Sequence, residues 1–380
     1  MDFELTPEQE EIVRTASAFA RDRLAPGYRE RDITRELPRE LVREMGELGL
    51  ICVEIPEEYG GLGLDFVTSG LVMEEIAAGD FNLAYVQLLG SLNTQILVTH
   101  ASEEIKREWL PRVTSGESLI ALALTEPDYG SDAAAIRLDA RREGDYYVLN
   151  GEKTSISFGD LCDIAVVFAR TGTVESRAHG VSAFAVPMDL EGITRTRFDD
   201  LGEHAIGRGS IFFDNVRVPV SHRLGDENKG FTQVMQGFDF SRALIGLQCI
   251  AVARESLKET WAYLTEREAF GQKLASFQGL TFPLAEDETY LEGARLICLK
   301  ALSRKDRGLP HTELAAMAKW WAPKLAFDIV HHCLIAHGHS GYSRELPFEQ
   351  RLRDVLGLQI GDGTANIMKM IIARRKTGIR

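Results

Sequence analysis

The sequence predicts an α+β fold in which a β domain lies between a helical domain and a C-terminal helical bundle. Three observations support this prediction. Apolar residues recur at helical spacing over residues 1–118, short β-branched and aromatic runs fill residues 119–228, and long helical patterns return over residues 229–380. Domains commonly contain roughly 100–200 residues, so a chain of 380 residues suits three of them.

The N-terminal domain opens on a clear helix start. Thr6 supplies a capping side chain, Pro7 takes the first helical position, and acidic residues follow in the first turn. Apolar residues then recur at helical intervals from Ile12 to Ala20. Three further helical patterns follow before residue 118, and glycine or aspartate ends them.

The middle and C-terminal segments differ in their period. Six short runs between residues 119 and 228 predict a mostly antiparallel β domain, whose last strand we expect Pro219 to close. A helical pattern without proline then runs over residues 233–268. Three more helical patterns follow, and the last one begins after Gly363.

Charge and hydropathy exclude several classes of function. The chain carries 57 acidic and 43 basic residues, a net charge of −14. This balance argues against nucleic-acid binding and against a polybasic membrane surface, because both need a basic face. No run of about 18 apolar residues occurs, so we expect no membrane span.

The cysteines and the N-terminus indicate a cytoplasmic protein. The five cysteines lie far apart and include no Cys-x-x-Cys pair, which predicts reduced, buried thiols rather than disulfides or metal ligands. The first ten residues are acidic and polar, unlike a secretory or transit peptide. His337 and His339 alternate beside glycines without a ligand pattern, so we expect turn residues and no metal.

Three segments have both a functional and a structural interpretation. Residues 123–132 leave a predicted strand and could hold an anion or a heteroaromatic edge, but a plain β-turn explains them about as well. Arg267 and Phe270 could offer a cation and an aromatic face, or could simply end a solvated helix. Asp362 precedes a helix and could be a general base, a cap or a dipole partner.

In their order and spacing along the whole chain, these segments resemble the acyl-CoA dehydrogenase family. The resemblance rests on six groups of residues in the family's order. They are Leu124-Thr125-Glu126-Pro127 with Gly130-Ser131-Asp132, Leu149-Asn150-Gly151-Glu152-Lys153, Phe213 to Pro219 with Leu224-Gly225 and Gly230-Phe231, Phe238-Asp239 and Arg242 with Arg267, Phe270-Gly271 and Phe277-Gln278, Gly338 to Tyr342 with Arg351 to Asp354, and Asp362-Gly363-Thr364.

The resemblance implies a flavoenzyme that acts on an acyl-CoA thioester. FAD would lie between the β domain and the C-terminal helices, with the acyl chain over the flavin. A carboxylate would remove the proton α to the carbonyl while hydride leaves the β carbon for flavin N5. Electrons would pass to an electron-transfer flavoprotein, and the enzyme would be a homotetramer in which neighbouring subunits share each FAD site.

The family's functional residues are carried over by position. Asp362 would be the catalytic base. The residues expected to contact FAD are Leu124, Thr125, Ser131, Ser155, Ser157, Arg267, Phe270, Gln278, Thr364 and Asn366. The residues expected to contact the substrate are Ser131, Asp239, Arg242 and Gly363. Gly363 would let the substrate approach closely, because it has no Cβ.

The base is where this chain departs most from the family. The family usually has glutamate where this chain has Asp362, whose side chain is one methylene shorter. A subset of the family places its glutamate on the long helix instead, where this chain has Ser241, which cannot act as a base. Asp362 is therefore the candidate base, and we expect burial to raise its pKa.

Further departures point to the acyl group. Ser155 replaces a usual aromatic residue and Gly361 a usual larger one, so both leave room near the reacting carbons, whereas Tyr129 is bulky where a small residue is usual. The extra space and the shorter base suggest a cyclic acyl group whose α carbon is tertiary, as in the substrates of cyclohexane-1-carboxyl-CoA dehydrogenases. Cyclohex-1-ene-1-carboxyl-CoA is a close alternative. The others are a short or branched-chain acyl-CoA, a nitroalkane oxidase-like reaction, and a non-catalytic flavin-binding role.

Overall fold

The computed structural model describes residues 4–379, and its N-terminal part is helical. The helix start at Thr6 is confirmed, since its side chain and that of Gln9 form a capping box with Pro7 in the first turn. Six α-helices precede the first strand. They are α1 (Pro7–Phe19), α2 (Tyr28–Thr34), α3 (Arg39–Glu47), α4 (Phe66–Gly79), α5 (Ala84–His100) and α6 (Glu103–Thr114).

The middle part is one eight-stranded sheet. In the order β6-β7-β3-β2-β4-β5-β8 most neighbours are antiparallel, while β1 and β2 run parallel to β4. The strands are β1 (Ile120–Ala123), β2 (Asp139–Glu143), β3 (Tyr146–Ile156), β4 (Ile164–Arg170), β5 (Val181–Pro187), β6 (Ile193–Arg195), β7 (Gly209–Pro219) and β8 (Arg223–Leu224).

The sequence predicted that Pro219 closes the last strand of the sheet, and this prediction is wrong. It ends β7, after which the chain turns and adds the two-residue strand β8 to the edge of β5. The central strands β4 and β5 are buried along almost their whole length, and α7 packs against β5. The expected antiparallel β domain is otherwise confirmed.

The C-terminal part is a bundle of helices around one long central helix. Helix α7 (Gly230–Glu266) packs against α4 and α5 of the N-terminal part as well as against α8 and α9. Its central turns, residues 240–253, are buried on every side and are mostly apolar. The other elements are β9 (Glu268–Ala269), β10 (Gln272–Lys273), α8 (Gln278–Asp306), α9 (Thr312–Ala336), α10 (His339–Tyr342), α11 (Phe348–Gly357) and α12 (Ala365–Thr377).

Two of these helices, α10 and α11, lie where the sequence pattern predicted none. They are short, with four and ten residues, so each offers few apolar positions to set a helical period. Helix α11 is stabilised by its packing against α9, with Phe348 and Val355 buried. Tertiary contacts therefore decide this segment.

The expectation of buried, unpaired thiols is confirmed within residues 4–379. All five cysteines are buried and unpaired. No helix in this part of the chain is both long and apolar enough to cross a bilayer. Its histidines, cysteines and acidic residues form no group suited to a metal ion.

The three parts of the fold meet at the buried side chain of Asp354 on α11. Its Oδ2 accepts hydrogen bonds from the Tyr28 hydroxyl (2.7 Å) and the Asn82 amide (3.1 Å), and its Oδ1 accepts one from the Glu203 backbone N–H (2.6 Å). The Glu203 carboxylate in turn accepts from the Tyr85 hydroxyl at 2.6 Å. Burial raises the pKa of Asp354 to about 7.

Asp354→Asn is predicted to destabilise the protein. An asparagine amide directs its NH₂ at one or more of the three donors, however it is turned, and a mismatched buried polar group costs about 1–3 kcal/mol. The thermal unfolding midpoint of the FAD-loaded protein should fall. The control is Asp199→Asn, because the Asp199 side chain is 79% exposed and pairs only with Arg35. Equal midpoints for wild type and Asp354→Asn would contradict the role of this junction.

Candidate active site

Asp362 lies in the loop between α11 and α12, and its position excludes a capping role. The N-cap of α12 is Thr364, two residues further on. Asp362 itself adopts a left-handed backbone with φ +52°, which aspartate tolerates better than most residues. Of the interpretations that the sequence left open, a cap is therefore wrong, and the side chain is free for another purpose.

One oxygen of the Asp362 carboxylate is held and the other is free. The Ser241 hydroxyl donates to Oδ2 at 3.0 Å, and no hydrogen bond from residues 4–379 reaches Oδ1. Arg242 Nε donates a hydrogen bond of 3.4 Å to the backbone oxygen of Asp362. Burial raises the pKa of Asp362, while the charges of Lys319 and Arg242 and the Ser241 hydrogen bond oppose that rise.

Arg242 and Asp239 form a buried ion pair on α7, one helical turn apart. The Arg242 guanidinium is 4% exposed and lies 3.1 Å from Asp239 Oδ1, while Thr312 donates to the other carboxylate oxygen at 2.5 Å. Gly363 lies beside this pair with φ +101°, and a Cβ there would come within 3.9 Å of the Arg242 guanidinium. The structure thus brings together three predicted substrate residues and the base.

A cleft of about 280 Å³ opens beside this ion pair. Asp239, Lys305, His100 and His311 line it together with α5 and α7. His311 Nε2 is buried and has no hydrogen-bond partner within residues 4–379. Burial lowers the pKa of Lys305, whose ammonium lies 4.2 Å from the centre of the Phe66 ring. The cleft thus offers polar groups that the described protein leaves unused.

On the β domain, the predicted flavin residues cluster where β1 ends and β3 turns. The Thr154 N–H donates to the Thr125 carbonyl at 2.9 Å, and buried Lys153 donates to the Leu124 carbonyl at 2.8 Å. Ser155 is exposed with φ +56° at a bulge of β3, and Ser157 follows the end of that strand. The first cluster of predicted residues is therefore formed within one subunit.

The loop after β1 contains the plain turn that the sequence allowed. Glu126 and Tyr129 exchange backbone hydrogen bonds of 3.2 and 3.0 Å across the turn. The buried Glu126 carboxylate accepts from Lys153 Nζ at 2.8 Å, so it stabilises the loop rather than facing a ligand. Beyond the turn, Ser131 is exposed, and no residue comes within 4 Å of a Cβ placed on Gly130. The β-turn therefore lies next to an exposed surface at Gly130 and Ser131.

A second group of predicted residues lies on an exposed hairpin after α7. Strands β9 and β10 are joined by Phe270 and Gly271, both at positive φ, as a tight hairpin turn requires. Phe270 is 96% exposed, and its ring lies edge to face with that of Phe277. Arg267 and Gln278 are also exposed, and Arg267 forms no ion pair within residues 4–379. The hairpin turn accounts for the positive φ of Phe270, whereas no residue within 4–379 buries its ring.

The remaining predicted residues take simple positions. Thr364 caps α12 without a side-chain hydrogen bond, and Asn366 is exposed on its first turn. His337 lies in the turn after α9, as expected, where it is 6% exposed and its ring stacks on Tyr263 at 4.2 Å. It is structural, and the sequence could not show that a ring would cover it.

Sequence reasoning missed two residues beside the base. Lys319 is 1% exposed on α9 and donates to backbone oxygens at both ends of the Asp362 loop. Ser241 was set aside because it cannot be a base, yet its hydroxyl binds the base. The sequence held one signal for Lys319, namely a lysine within an otherwise apolar helical face.

Three family models match the chain in order. The N-terminal domain of the acyl-CoA dehydrogenases matches residues 6–117, the middle domain matches residues 121–216, and the C-terminal domain matches residues 228–377. The three matches follow the helical, β and helical parts of the structure.

Similar proteins and structures cover the full length. A probable acyl-CoA dehydrogenase of Bacillus subtilis is 37% identical over 99% of both chains. The butyryl-CoA dehydrogenase structure of Megasphaera elsdenii is 32% identical, covers 99% of this chain and 100% of that one, and has a TM-score of 0.96. A chain from the structure of the electron transferring flavoprotein of Acidaminococcus fermentans is 34% identical with the same coverage and TM-score. The protein therefore belongs to the acyl-CoA dehydrogenase family of FAD-dependent oxidoreductases that act on CH–CH groups.

Proposed function

We propose that this acyl-CoA dehydrogenase oxidises a cyclic acyl group, such as cyclohexane-1-carboxyl-CoA to its 1-ene, with Asp362 as the base. The observation that carries the catalytic part is the carboxylate itself. Ser241 holds one of its oxygens, and no hydrogen bond from residues 4–379 reaches the other. A free carboxylate oxygen in a partly buried site is suited to take a proton from carbon.

The same loop can stabilise the charge that forms when the α proton leaves. Removal of that proton places negative charge on the thioester carbonyl oxygen, which then needs hydrogen-bond donors. The backbone N–H groups of Asp362 and Gly363 donate to no group within residues 4–379. We assign them to the carbonyl oxygen, so that base and donors act on adjacent atoms of the substrate.

The exposed residues of the β domain and of the hairpin fit FAD. An unpaired Arg267 suits a pyrophosphate, and an exposed Phe270 in a strained backbone suits a partner that covers it. We assign Leu124, Thr125, Ser131, Ser155 and Ser157 to the flavin side, Arg267, Phe270 and Gln278 to the pyrophosphate and adenosine from a neighbouring subunit, and Thr364 and Asn366 to FAD near α12. When bound, FAD accepts the hydride from the β carbon.

The cyclic substrate is supported by the space around the base. A Cβ placed on Gly361 would meet only the Gly357 carbonyl oxygen, at 3.9 Å, so this side of Asp362 is open. A ring puts a second carbon substituent on the α carbon, and that substituent needs such space. The shorter reach of aspartate then leaves the tertiary carbon room to approach.

The CoA portion is assigned to the surface beside α7. Asp239, the ion-pair partner of Arg242, borders the cleft of about 280 Å³, which also presents Lys305 and His311 to polar ligand groups. Gly363 would let the thioester pass close to the backbone, and exposed Ser131 would contact the CoA from the β domain. Local cations of this kind suffice for an anionic ligand on a protein of net charge −14.

The acceptor and the assembly follow from the relatives and the exposed hairpin. We infer an electron-transfer flavoprotein as acceptor, in line with the similarity to a chain in the Acidaminococcus fermentans structure. We infer a homotetramer, because Phe270 is 96% exposed and Arg267 forms no ion pair within residues 4–379. Five unpaired cysteines suit the reducing cytoplasm.

A second candidate function is the oxidation of a short linear acyl-CoA. The 32% identity and TM-score of 0.96 to butyryl-CoA dehydrogenase support it. The two candidates share the base and the cofactor, and they differ in the group that fills the space beside Gly361.

Asp362→Asn is predicted to abolish flavin reduction while FAD stays bound. A missing general base costs about 10²–10⁴-fold in rate. The anaerobic loss of flavin absorbance should be followed with cyclohexane-1-carboxyl-CoA, cyclohex-1-ene-1-carboxyl-CoA, isobutyryl-CoA, butyryl-CoA and a nitroalkane.

Several outcomes of that experiment would reject parts of the proposal. Normal reduction of Asp362→Asn would show that another group is the base. Reduction of the wild type by the nitroalkane alone would reject the acyl-CoA substrate. Faster reduction by butyryl-CoA than by either ring compound would favour the second candidate.

Asp362→Glu is predicted to shift the preference from ring to linear substrates. The longer side chain fills space that a ring needs and reaches a linear α carbon more easily. The ratio of kcat/KM for cyclohexane-1-carboxyl-CoA to that for butyryl-CoA should fall several-fold. Gly361→Ala is the matched variant, because it narrows the same space without moving the carboxylate. If both variants keep the wild-type ratio, the cyclic substrate is wrong.

Arg267→Gln is predicted to weaken FAD binding by about tenfold or more, because a hydrogen bond to a charged group contributes about 1.5–3 kcal/mol. FAD release during dialysis should be measured by fluorescence. Arg141→Gln is the control, since that side chain is 66% exposed and pairs with Glu143 on β2. Equal FAD retention in Arg267→Gln and wild type would remove the hairpin from the cofactor site.

A further inference from the structure

The loop that carries Asp362 has few backbone hydrogen bonds of its own. Ile360 and Gly361 donate to the Gly357 carbonyl at 3.0 and 3.1 Å, which closes the end of α11. From Asp362 to the cap of α12, no backbone N–H donates to a group within residues 4–379. Asp362 also has a positive φ of +52°, which an L-residue other than glycine adopts only when its surroundings hold it there. Something outside the loop must hold it.

Lys319 spans this loop from the neighbouring helix α9. Its Nζ donates to the Leu358 carbonyl at 2.7 Å and to the Gly363 carbonyl at 3.1 Å. These two carbonyls lie on either side of Asp362 along the chain. One ammonium group therefore fixes both flanks of the base.

Lys319 is buried without an ion pair. Its side chain is 1% exposed, and no carboxylate within residues 4–379 lies within 4 Å of its Nζ. A buried ammonium with carbonyl partners alone is costly. Neutral donors would satisfy the same carbonyls, so loop geometry by itself does not explain a lysine here.

The charged groups around Lys319 are few and can be named. Burial lowers its pKa to about 8, the charge of Asp362 raises it, and the charge of Arg242 on α7 lowers it. The neighbouring Cys249 on α7 is a neutral thiol, because burial raises its pKa. In return, the Lys319 charge lowers the pKa of Asp362, against the effect of burial.

We propose that Lys319 is a positioning residue for proton abstraction, which clamps both flanks of Asp362. This inference rests on the proposed role of Asp362 as the base. Ser241 fixes one carboxylate oxygen, and Lys319 fixes the backbone that carries it. The free oxygen then has one direction in which it can meet the substrate.

The test compares Lys319→Met and Lys319→Gln with wild type. Methionine removes both the charge and the donors, whereas glutamine keeps a donor without the charge. The rate of anaerobic flavin reduction should be measured across pH with cyclohexane-1-carboxyl-CoA or butyryl-CoA, whichever reduces the wild type faster. FAD retention and the thermal unfolding midpoint should be measured in parallel. Lys324→Met on the same helix is the control, because that side chain is 58% exposed.

The expected direction follows from the sign of the lost charge. The base works when ionised, so the rate rises with pH through the pKa of Asp362. Removing a positive charge raises that pKa, so the rising limb should move to higher pH in both variants. At neutral pH the rate should fall tenfold or more in Lys319→Met and less in Lys319→Gln, with FAD retained. Lys324→Met should match wild type.

The outcomes separate this inference from the proposed function. If Asp362→Asn reduces normally, the base is wrong and the inference falls with it. If Asp362→Asn is inactive but the rising limb of the rate–pH profile does not move in either Lys319 variant, Asp362 remains the proposed base and the role proposed for Lys319 is wrong. A lowered unfolding midpoint with an unmoved limb would make Lys319 purely structural.

Discussion

The fold depends on one buried side chain, Asp354, at which all three domains meet. Tyr28 and Asn82 reach it from the N-terminal helices and the backbone of Glu203 reaches it from the β domain, while Asp354 itself belongs to the C-terminal bundle. This junction tolerates little rearrangement, because a buried carboxylate oxygen that loses its hydrogen-bond donor destabilises the folded protein. Each domain is thus held in register with the other two.

The active site inherits its geometry from this junction. Helix α11 carries Asp354 and ends at Gly357, and a Cβ on that glycine would come within 2.6–2.7 Å of the Glu203 carboxylate. The next residue, Leu358, offers the carbonyl that Lys319 clamps. The base loop therefore begins at a point fixed by the β domain and by α9 together. The domains that carry the proposed cofactor-binding residues and the proposed base therefore cannot shift independently.

The sequence predicted the fold class and most of its elements because their signals are local. The capping box at Thr6, the long periodic pattern of α7 and the short β-branched runs each lie within one segment. It missed α10 and α11, whose few apolar positions set no period, and it took Pro219 as the end of a sheet that gains one more strand. The family and the cofactor class came from motifs spread along the whole chain.

The sequence by itself determined that an acidic residue lies just before the last helix. It also determined that the family's alternative base position on α7 holds Ser241, which cannot act as a base. Only the tertiary structure decided what surrounds that acid. Ser241 is 121 residues away and Lys319 is 43 away along the chain, yet one binds the carboxylate and the other binds its loop. Contacts at such separations leave no periodic pattern, because packing of α7, α9 and the loop creates them. The chemistry was visible in residue types, and its geometry in the fold alone.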